Sequence, residues 1–269
     1  ARAATAHRAG RRQFRIHGAV NIRIVEPRYG WRWIIAGMQL FRRDPAQWLL
    51  LIGALFVASR LLFLIPLAPL LVVLVAPHFL AGLAHGAQAL EQNKPLRNGY
   101  LVSGYLRNAS PLLTIGGISL VGQVLTLMVI LSVGGEAFND MAKGISAGAG
   151  RPETLSALQH AAPRLTLALL AGFSVSLPLM MATWYAPLLV FFDDLKPSVA
   201  LYLSLLACMR NTRPLLVYGL VLMMPLYLFT RIGLMLGQVD LGLWLLAPVI
   251  VPSIYVSYRD LFVPAPPPA

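Results

Sequence analysis

Long uncharged apolar runs, separated by shorter polar stretches, dominate the pattern of this chain. A helix that crosses a bilayer needs roughly 20 mainly apolar residues, and six runs reach or approach that length. They cover residues 48–65, 70–90, 112–133, 165–192, 215–230 and 241–258. The pattern therefore predicts an all-α fold, a polytopic bundle of about six membrane-spanning helices.

A threefold repeat is superimposed on these runs. In each copy a basic stretch is followed by a proline (Pro45, Pro111 or Pro214) and then by an apolar run. Proline suits the first turn of a helix, because the N–H group that it lacks would have no partner there. The repeat predicts three units, each a surface helix followed by a two-span hairpin.

The predicted surface helices precede the three prolines, and the middle copy, at 101–106, has the weakest pattern. In the first and third copies, apolar residues recur at offsets 0, 3, 4, 7 and 10 and so share one helical face. These residues are Trp31, Ile34, Ile35, Met38 and Phe41 in the first copy, and their counterparts in the third are Val199, Tyr202, Leu203, Leu206 and Met209. Such helices suit the membrane–water boundary; packing on the bundle as ordinary helices is the alternative.

The two ends of the chain differ from its middle. Residues 1–29 form a basic stretch, interpreted as a flexible N-terminal extension, and residues 1–20 contain no acidic side chain and no apolar run typical of a secretory signal. Residues 261–269 form a proline-rich tail that is expected to be extended. Residues 30–260 are predicted to be the six-span domain.

Composition supports the membrane interpretation. The chain is 58% apolar and 12% charged, whereas soluble domains are about 45–50% apolar and about 25% charged. This composition excludes a disordered chain, a nucleic-acid-binding domain and an ordinary cytosolic enzyme. The single cysteine, Cys208, allows no internal disulfide and no thiolate metal cage.

The distribution of charge predicts the orientation in the membrane. The chain has 22 lysines and arginines against 10 aspartates and glutamates, and most of the basic residues lie before the first span or in alternate loops. Because basic loops face the cytoplasm, both termini are predicted to be cytoplasmic. The expected partners are the lipid bilayer, with anionic lipids on that face, and either a membrane protein or a second copy of the chain; no nucleic acid is expected.

Several residues near the predicted boundaries are candidate interfacial anchors, because tryptophan and arginine favour the headgroup region. They are Trp31, Trp33, Arg42, Arg43, Arg107, Arg210 and Arg213.

Polar residues inside the spans are the candidate intramembrane site, because such residues mark function by default. Arg60, His78, His85 and Gln123 form this set. Arg60 and His78 are predicted to lie at similar depth, which leads to the hypothesis that they are in contact. Snorkelling of Arg60 to water, and helix–helix hydrogen bonds for the histidines, are the alternative interpretations.

Asp193 and Asp194 form a carboxylate pair just before a predicted surface helix. Capping of that helix is the preferred interpretation, because carboxylates are stabilising near a helix N-terminus. A metal-assisted lipid reaction is the remote alternative. The chain lacks a phosphate-binding glycine loop, a zinc-binding helix and a nucleophile elbow, so we expect no catalytic residue, no metal site and no cofactor.

The run from Trp184 to Asp194, its continuations Ala207–Asn211 and Val217–Leu220, and the Phe41–Arg43 stretch before the first span together resemble a family of uncharacterised proteobacterial inner-membrane proteins. The resemblance covers about residues 21–260 and implies a multi-pass protein of the bacterial inner membrane. It supplies no catalytic residues.

These observations lead to the expectation of a non-enzymatic integral inner-membrane protein with a lipid- or partner-associated scaffold or envelope-maintenance role. A small-solute transporter or channel is the alternative, and a membrane-embedded lipid-modifying enzyme is the remote one.

Overall fold

A computed structural model describes residues 14–16, 20–146 and 152–262. The described residues contain nine α-helices, one short 3₁₀ helix and two strands. The helices are α1 (Tyr29–Arg43), α2 (Pro45–Leu62), α3 (Ala68–Glu91), α4 (Ser103–Ser146), α5 (Pro152–Trp184), α6 (Ala186–Asp193), α7 (Pro197–Arg210), α8 (Thr212–Met235) and α9 (Leu241–Phe262). The 3₁₀ helix is Asn98–Val102, and β1 (Phe14–Ile16) pairs antiparallel with β2 (Val20–Ile22).

Six helical segments are long and apolar enough to cross a membrane, which confirms the predicted all-α polytopic bundle. They are Pro45–Leu62, Leu70–Glu91, Asn98–Lys143, Gln159–Asp193, Thr212–Met235 and Leu241–Phe262. Each contains the greater part of one predicted apolar run.

The predicted threefold repeat has a common backbone signature. A single non-helical residue separates each surface helix from the spanning helix that follows: Asp44 (φ −153°, ψ 68°), Asn108 (φ −132°, ψ 44°) and Asn211 (φ −116°, ψ 32°). Asp44 also caps α2 by accepting a hydrogen bond from the Gln47 N–H at 3.3 Å. The break at Asn108 divides α4 into a short surface part and a long spanning part. The fold therefore consists of three repeats, each a surface helix followed by a hairpin, as predicted.

The described residues pack as two compact units. Unit 1 combines the described parts of Ala1–Gly116 and Ala182–Ala269, and unit 2 is Gly117–Met181. In unit 1 the core is formed by the C-terminal ends of α3, α6 and α9, where nearly every side chain is buried. We call this end of unit 1, where α2 and α8 begin and α3, α6 and α9 end, the arginine-rich end, because Arg43, Arg107 and Arg210 lie in it.

Each surface helix in unit 1 packs against the last helix of the preceding repeat. The helix α1 lies against α9 and α8, the 3₁₀ helix and the start of α4 lie against α3, and α7 lies against α6. Since the first surface helix packs on the third hairpin, the three repeats close into a ring at the arginine-rich end.

Unit 2 is a helical hairpin made of α4 beyond Gly116 and α5 up to Met181. Its two helices approach closely at three glycines: Gly122 against Leu179, Gly134 against Ala168 and Gly172 against Ile130. The spanning part of α4 is about 57 Å long at 1.5 Å per residue, which exceeds the roughly 30 Å apolar core of a bilayer. The predicted span 112–133 is therefore shorter than the helix that contains it, which continues to Ser146.

The N-terminal segment is anchored where it is described. The Arg23 N–H donates to the Leu261 carbonyl at 2.9 Å, and the Val25 N–H donates to Asn211 Oδ1 at 3.0 Å. The rest of the predicted extension (residues 1–13 and 17–19) and the tail beyond Phe262 lie outside the described residues. The proposed domain boundaries remain a prediction.

Candidate functional site

The two histidines of the candidate intramembrane site lie in α3 and contact the segment that leads into α4. His78 is buried, its Nε2–H donates to the Ala109 carbonyl at 3.0 Å, and its ring stacks on Tyr105 with centroids 4.2 Å apart. His85 is hydrogen-bonded through Nδ1 to Ser103 Oγ at 3.2 Å. Both side chains therefore link the first hairpin to the second repeat, as the hydrogen-bonding interpretation proposed.

Arg60 lies elsewhere, at the end of α2 away from the arginine-rich end. It forms an ion pair with Asp240, in the turn before α9, and donates to Gln238 Oε1 at 3.1 Å. The indole N–H of Trp244 also donates to Asp240, at 3.0 Å. The hypothesis of a contact between Arg60 and His78 is therefore wrong: a loop carboxylate outside the spans is the partner of Arg60.

Gln123 lies in unit 2 and its side chain is exposed. The structure thus brings His78 and His85 to neighbouring parts of one interface, places Arg60 at the other end of unit 1, and leaves Gln123 in the separate hairpin. Within unit 1, Arg60 and the two histidines therefore do not form one site.

Coupling between Arg60 and Asp240 can be measured with a double-mutant cycle. We expect Arg60→Gln and Asp240→Asn to be non-additive by about 1 kcal/mol in the free energy of unfolding, because both side chains are about one-third exposed and the pair is partly screened. The control cycle combines Arg60→Gln with His78→Phe and should be additive within about 0.5 kcal/mol. Additivity with Asp240, or coupling with His78, would contradict the observed partner.

The predicted interfacial anchors have different environments. Trp31 is half-exposed, whereas Trp33 is fully buried and its indole N–H donates to Asp260 Oδ2 at 3.1 Å. An interfacial role for Trp33 is therefore excluded, because its ring packs inside unit 1 edge-on to Tyr218. The apolar pattern did not show that Trp33 is buried, because it shares the buried face of α1 with the small residues Gly30 and Gly37, which add little to that pattern.

The predicted arginine anchors also differ in their partners. Arg43 donates to the Leu90 carbonyl at 2.5 Å and so binds the C-terminal end of α3, where a cation is favourable. Arg107 pairs with Asp194 at 2.9 Å. Arg42 and Arg213 are exposed, and Arg210 is half-buried.

Asp193 and Asp194 have separate partners. Asp194 ends α6 in a left-handed conformation (φ 52°) and accepts hydrogen bonds from Arg107 and from the Asn108 amide at 3.2 Å. The Asn108 hydrogen bond, together with the Arg107 guanidinium, holds the pKa of Asp194 below its usual value. Asp193 accepts a hydrogen bond from the Tyr258 hydroxyl at 2.5 Å.

The capping interpretation of this pair therefore needs correction. The N-cap of α7 is Lys196, and the two aspartates instead tie the end of α6 to the start of its own repeat and to α9 of the third repeat.

Three carboxylates at the arginine-rich end, Glu91, Asp193 and Asp260, are not apparent from the apolar pattern of the chain, and we call them the carboxylate cluster. They lie at or near the last residue of α3, α6 and α9, where a negative charge is unfavourable because the helix dipole is also negative there. Each carboxylate accepts hydrogen bonds from side chains of other elements, which offset this cost.

The donors to the carboxylate cluster come mainly from α9. Arg259 forms ion pairs with both Glu91 and Asp260, and the Tyr255 hydroxyl donates to Glu91 at 2.7 Å. The signal in the sequence is the spacing of Tyr255, Tyr258 and Arg259 at the end of the sixth apolar run, which places the three donors on one face of the helix.

The lone thiol is a useful internal probe. Cys208 is buried in α7, and burial raises the pKa of its thiol to about 12. The thiolate is the reactive form, so the buried thiol should react slowly at pH 8. We expect a maleimide to label unfolded but not folded protein at this pH; rapid labelling of folded protein would contradict the buried position.

Within the described residues, no group of three or more histidine, cysteine, aspartate or glutamate side chains is arranged to hold a metal ion. The chemistry that the carboxylate cluster offers is hydrogen bonding and ion pairing between repeats.

Comparison with known proteins agrees with the membrane architecture. Over 256 residues the chain is 27% identical to a probable inner membrane protein of Burkholderia thailandensis, with 88% of this chain and 92% of the relative covered. The sequence matches no family model, and no solved structure is similar to it. The similarity confirms the predicted resemblance to bacterial inner-membrane proteins and, with the six apolar helices, supports a multi-pass protein of the inner membrane.

Proposed function

We propose that this inner-membrane protein is a non-catalytic scaffold with a lipid- or partner-associated role in maintaining the envelope. The observation that carries the proposal is the internal pairing of the carboxylate cluster. Glu91, Asp193 and Asp260 belong to three different repeats, and each is bound by side chains of the protein itself. Polar groups that are used to join helices favour a structural role over a reactive one.

The arginine-rich end faces the cytoplasm in this proposal, so that both termini are cytoplasmic and the exposed Arg42 and Arg213 meet anionic headgroups. The support is the bias of basic residues toward one side of the membrane, together with an attraction of about 1 kcal/mol for each basic residue near an anionic surface.

Reporter fusions test this orientation. Fusions after residues 95, 205 and 262 should report the cytoplasm, and a fusion after residue 150 should report the periplasm. Alkaline phosphatase, which is active only outside the cytoplasm, and green fluorescent protein, which is fluorescent inside it, provide complementary readouts. An inverted pattern would overturn the proposed orientation.

A flux measurement tests the scaffold role against transport. Purified protein in liposomes is expected to give the same solute leakage as protein-free liposomes across a panel of ions, sugars and amino acids. A specific flux that His78→Phe or Gln123→Ala abolishes would overturn the proposal.

An enzymatic role has its own test. We expect cells with the Asp193→Asn, Asp194→Asn double variant to keep the phenotype of the parent when both proteins are present in the membrane in equal amounts. The reason is that an amide preserves hydrogen bonding but cannot perform carboxylate chemistry. Loss of the phenotype at equal protein level would contradict a non-catalytic role.

A further inference from the structure

Small residues let the three surface helices pack closely on the rest of unit 1. The inward face of α1 has Gly30 against the Pro214 carbonyl and Gly37 against α9. The surface part of α4 has Gly104 against the His78 backbone, and the inward face of α7 contains the buried residues Ala200, Ser204 and Ala207. The same arrangement recurs in all three repeats.

Several large apolar side chains of these helices point outward, although Trp33 and Leu40 of α1 and Leu203 of α7 are buried. The exposed fractions are 50% for Trp31 and 40% for Ile35 on α1, 46% for Val102 and 82% for Leu106 before the Asn108 break, and 55% for Tyr202 and 61% for Met209 on α7. A helix on a water-soluble protein buries its large apolar face and exposes its polar one. Here six large apolar side chains also lie on the outward side, so water is not the expected medium there.

The position of these residues identifies the medium. Each surface helix continues through one non-helical residue (Asp44, Asn108 or Asn211) into a helix able to cross the membrane. The outward apolar side chains are therefore held where a spanning helix enters the bilayer, at the boundary between headgroups and acyl chains.

Charge indicates the kind of lipid. Exposed arginines accompany all three helices: Arg42 at the end of α1, Arg97 before the 3₁₀ helix and Arg213 at the start of α8. An amphipathic helix with large apolar residues and nearby arginines binds anionic membranes through apolar burial and electrostatic attraction together.

We propose that the three surface helices form a ring that inserts its outward residues (Trp31, Ile35, Val102, Leu106, Tyr202 and Met209) among the anionic phospholipids of the leaflet at the arginine-rich end. This inference rests on the proposed lipid-associated function and names the surface that makes the contact. In this arrangement both interpretations of the sequence hold, because the helices pack on the bundle through one face and contact lipid through another.

Site-directed spin labelling tests the proposal, since the unreactive Cys208 can stay in place. Single cysteines replace outward residues in three variants (Ile35→Cys, Leu106→Cys and Tyr202→Cys) and exposed polar residues beyond the end of α3 in two controls (Gln92→Cys and Lys94→Cys). Each variant is placed in nanodiscs of phosphatidylethanolamine with phosphatidylglycerol, or of phosphatidylcholine alone. The measured quantity is the ratio of collisions with oxygen to collisions with a water-soluble nickel chelate.

In the anionic nanodiscs we expect the three outward labels to lie about 5–10 Å into the headgroup and acyl boundary, with the control labels in water. In phosphatidylcholine the outward labels should be shallower. Outward labels as accessible to nickel as the controls would overturn the insertion, and equal depth in the two lipids would overturn the preference for anionic lipid.

Outward labels shielded from both oxygen and nickel would indicate a protein partner or a second copy and would also overturn the proposal. This result is independent of the scaffold role: solute flux in liposomes would contradict the scaffold without moving the labels, and water-exposed labels would refute the lipid surface in a protein that transports nothing.

Discussion

Gly37→Ala is expected to lower the thermal midpoint of the folded protein by about 4–8 °C, which corresponds to roughly 2 kcal/mol. A Cβ atom at this position would lie 2.7 Å from both the Ser253 Cβ and the Val249 carbonyl oxygen. These atoms belong to the backbone and the root of a side chain, so they cannot rotate away. The helix α1 must then separate from α9, which weakens the hydrogen bond between Trp33 and Asp260.

The matched control is Gly219→Ala in α8, where a Cβ would meet nothing within 4 Å. There we expect no loss and a gain of up to about 1 kcal/mol, because alanine is the better helix former. Maleimide labelling of Cys208 during a temperature ramp in detergent measures both midpoints. Equal shifts for the two variants would show that the close approach of α1 to α9 does not hold unit 1 together.

The spans and the repeats could be predicted because their signals are local. An apolar run must lie in hydrocarbon wherever its partners are, and a proline that follows a basic stretch marks a helix start by its own covalent geometry. The structure confirms six candidate spans, and it shows in addition a non-helical residue before the first spanning helix of each repeat.

The inward faces of the surface helices could not be predicted in the same way. Hydrophobic periodicity weights large side chains, and so it selected the face of α1 that contains Trp31 and Ile35. Packing instead uses Gly30 and Gly37, because small residues let two helices approach closely. The large Trp33 is buried beside them. Periodicity identified a real apolar face of α1, but its Trp31 and Ile35 are directed away from the protein.

The partners of the polar residues were also beyond the sequence. Trp33 and Asp260 are 227 positions apart, and Arg60 and Asp240 are 180 apart. The prediction placed Arg60 against a residue of similar depth within the spans and overlooked a carboxylate in a turn. Only the closing of the third repeat onto the first brings these pairs together.

Arg259→Gln is expected to have the second large effect, a loss of about 2–3 kcal/mol in the free energy of unfolding. Arg259 forms ion pairs with Glu91 of the first repeat and Asp260 of the third, and the side chains of all three residues are more than half-buried. Hydrogen bonds to charged groups contribute about 1.5–3 kcal/mol, and two carboxylates near helix C-termini would lose their cation. Partial exposure keeps the loss below that of a fully buried pair.

Two variants separate this mechanism from a general effect of removing positive charge. Arg42→Gln removes an exposed arginine at the same end and should change stability by less than about 0.5 kcal/mol. Adding Glu91→Gln to Arg259→Gln should recover part of the loss, because the neutral amide no longer needs a cation at the end of α3. If Arg259→Gln is no worse than Arg42→Gln, or if Glu91→Gln deepens the loss, the carboxylate cluster does not join the repeats, and the observation that supports the scaffold role would be lost with it.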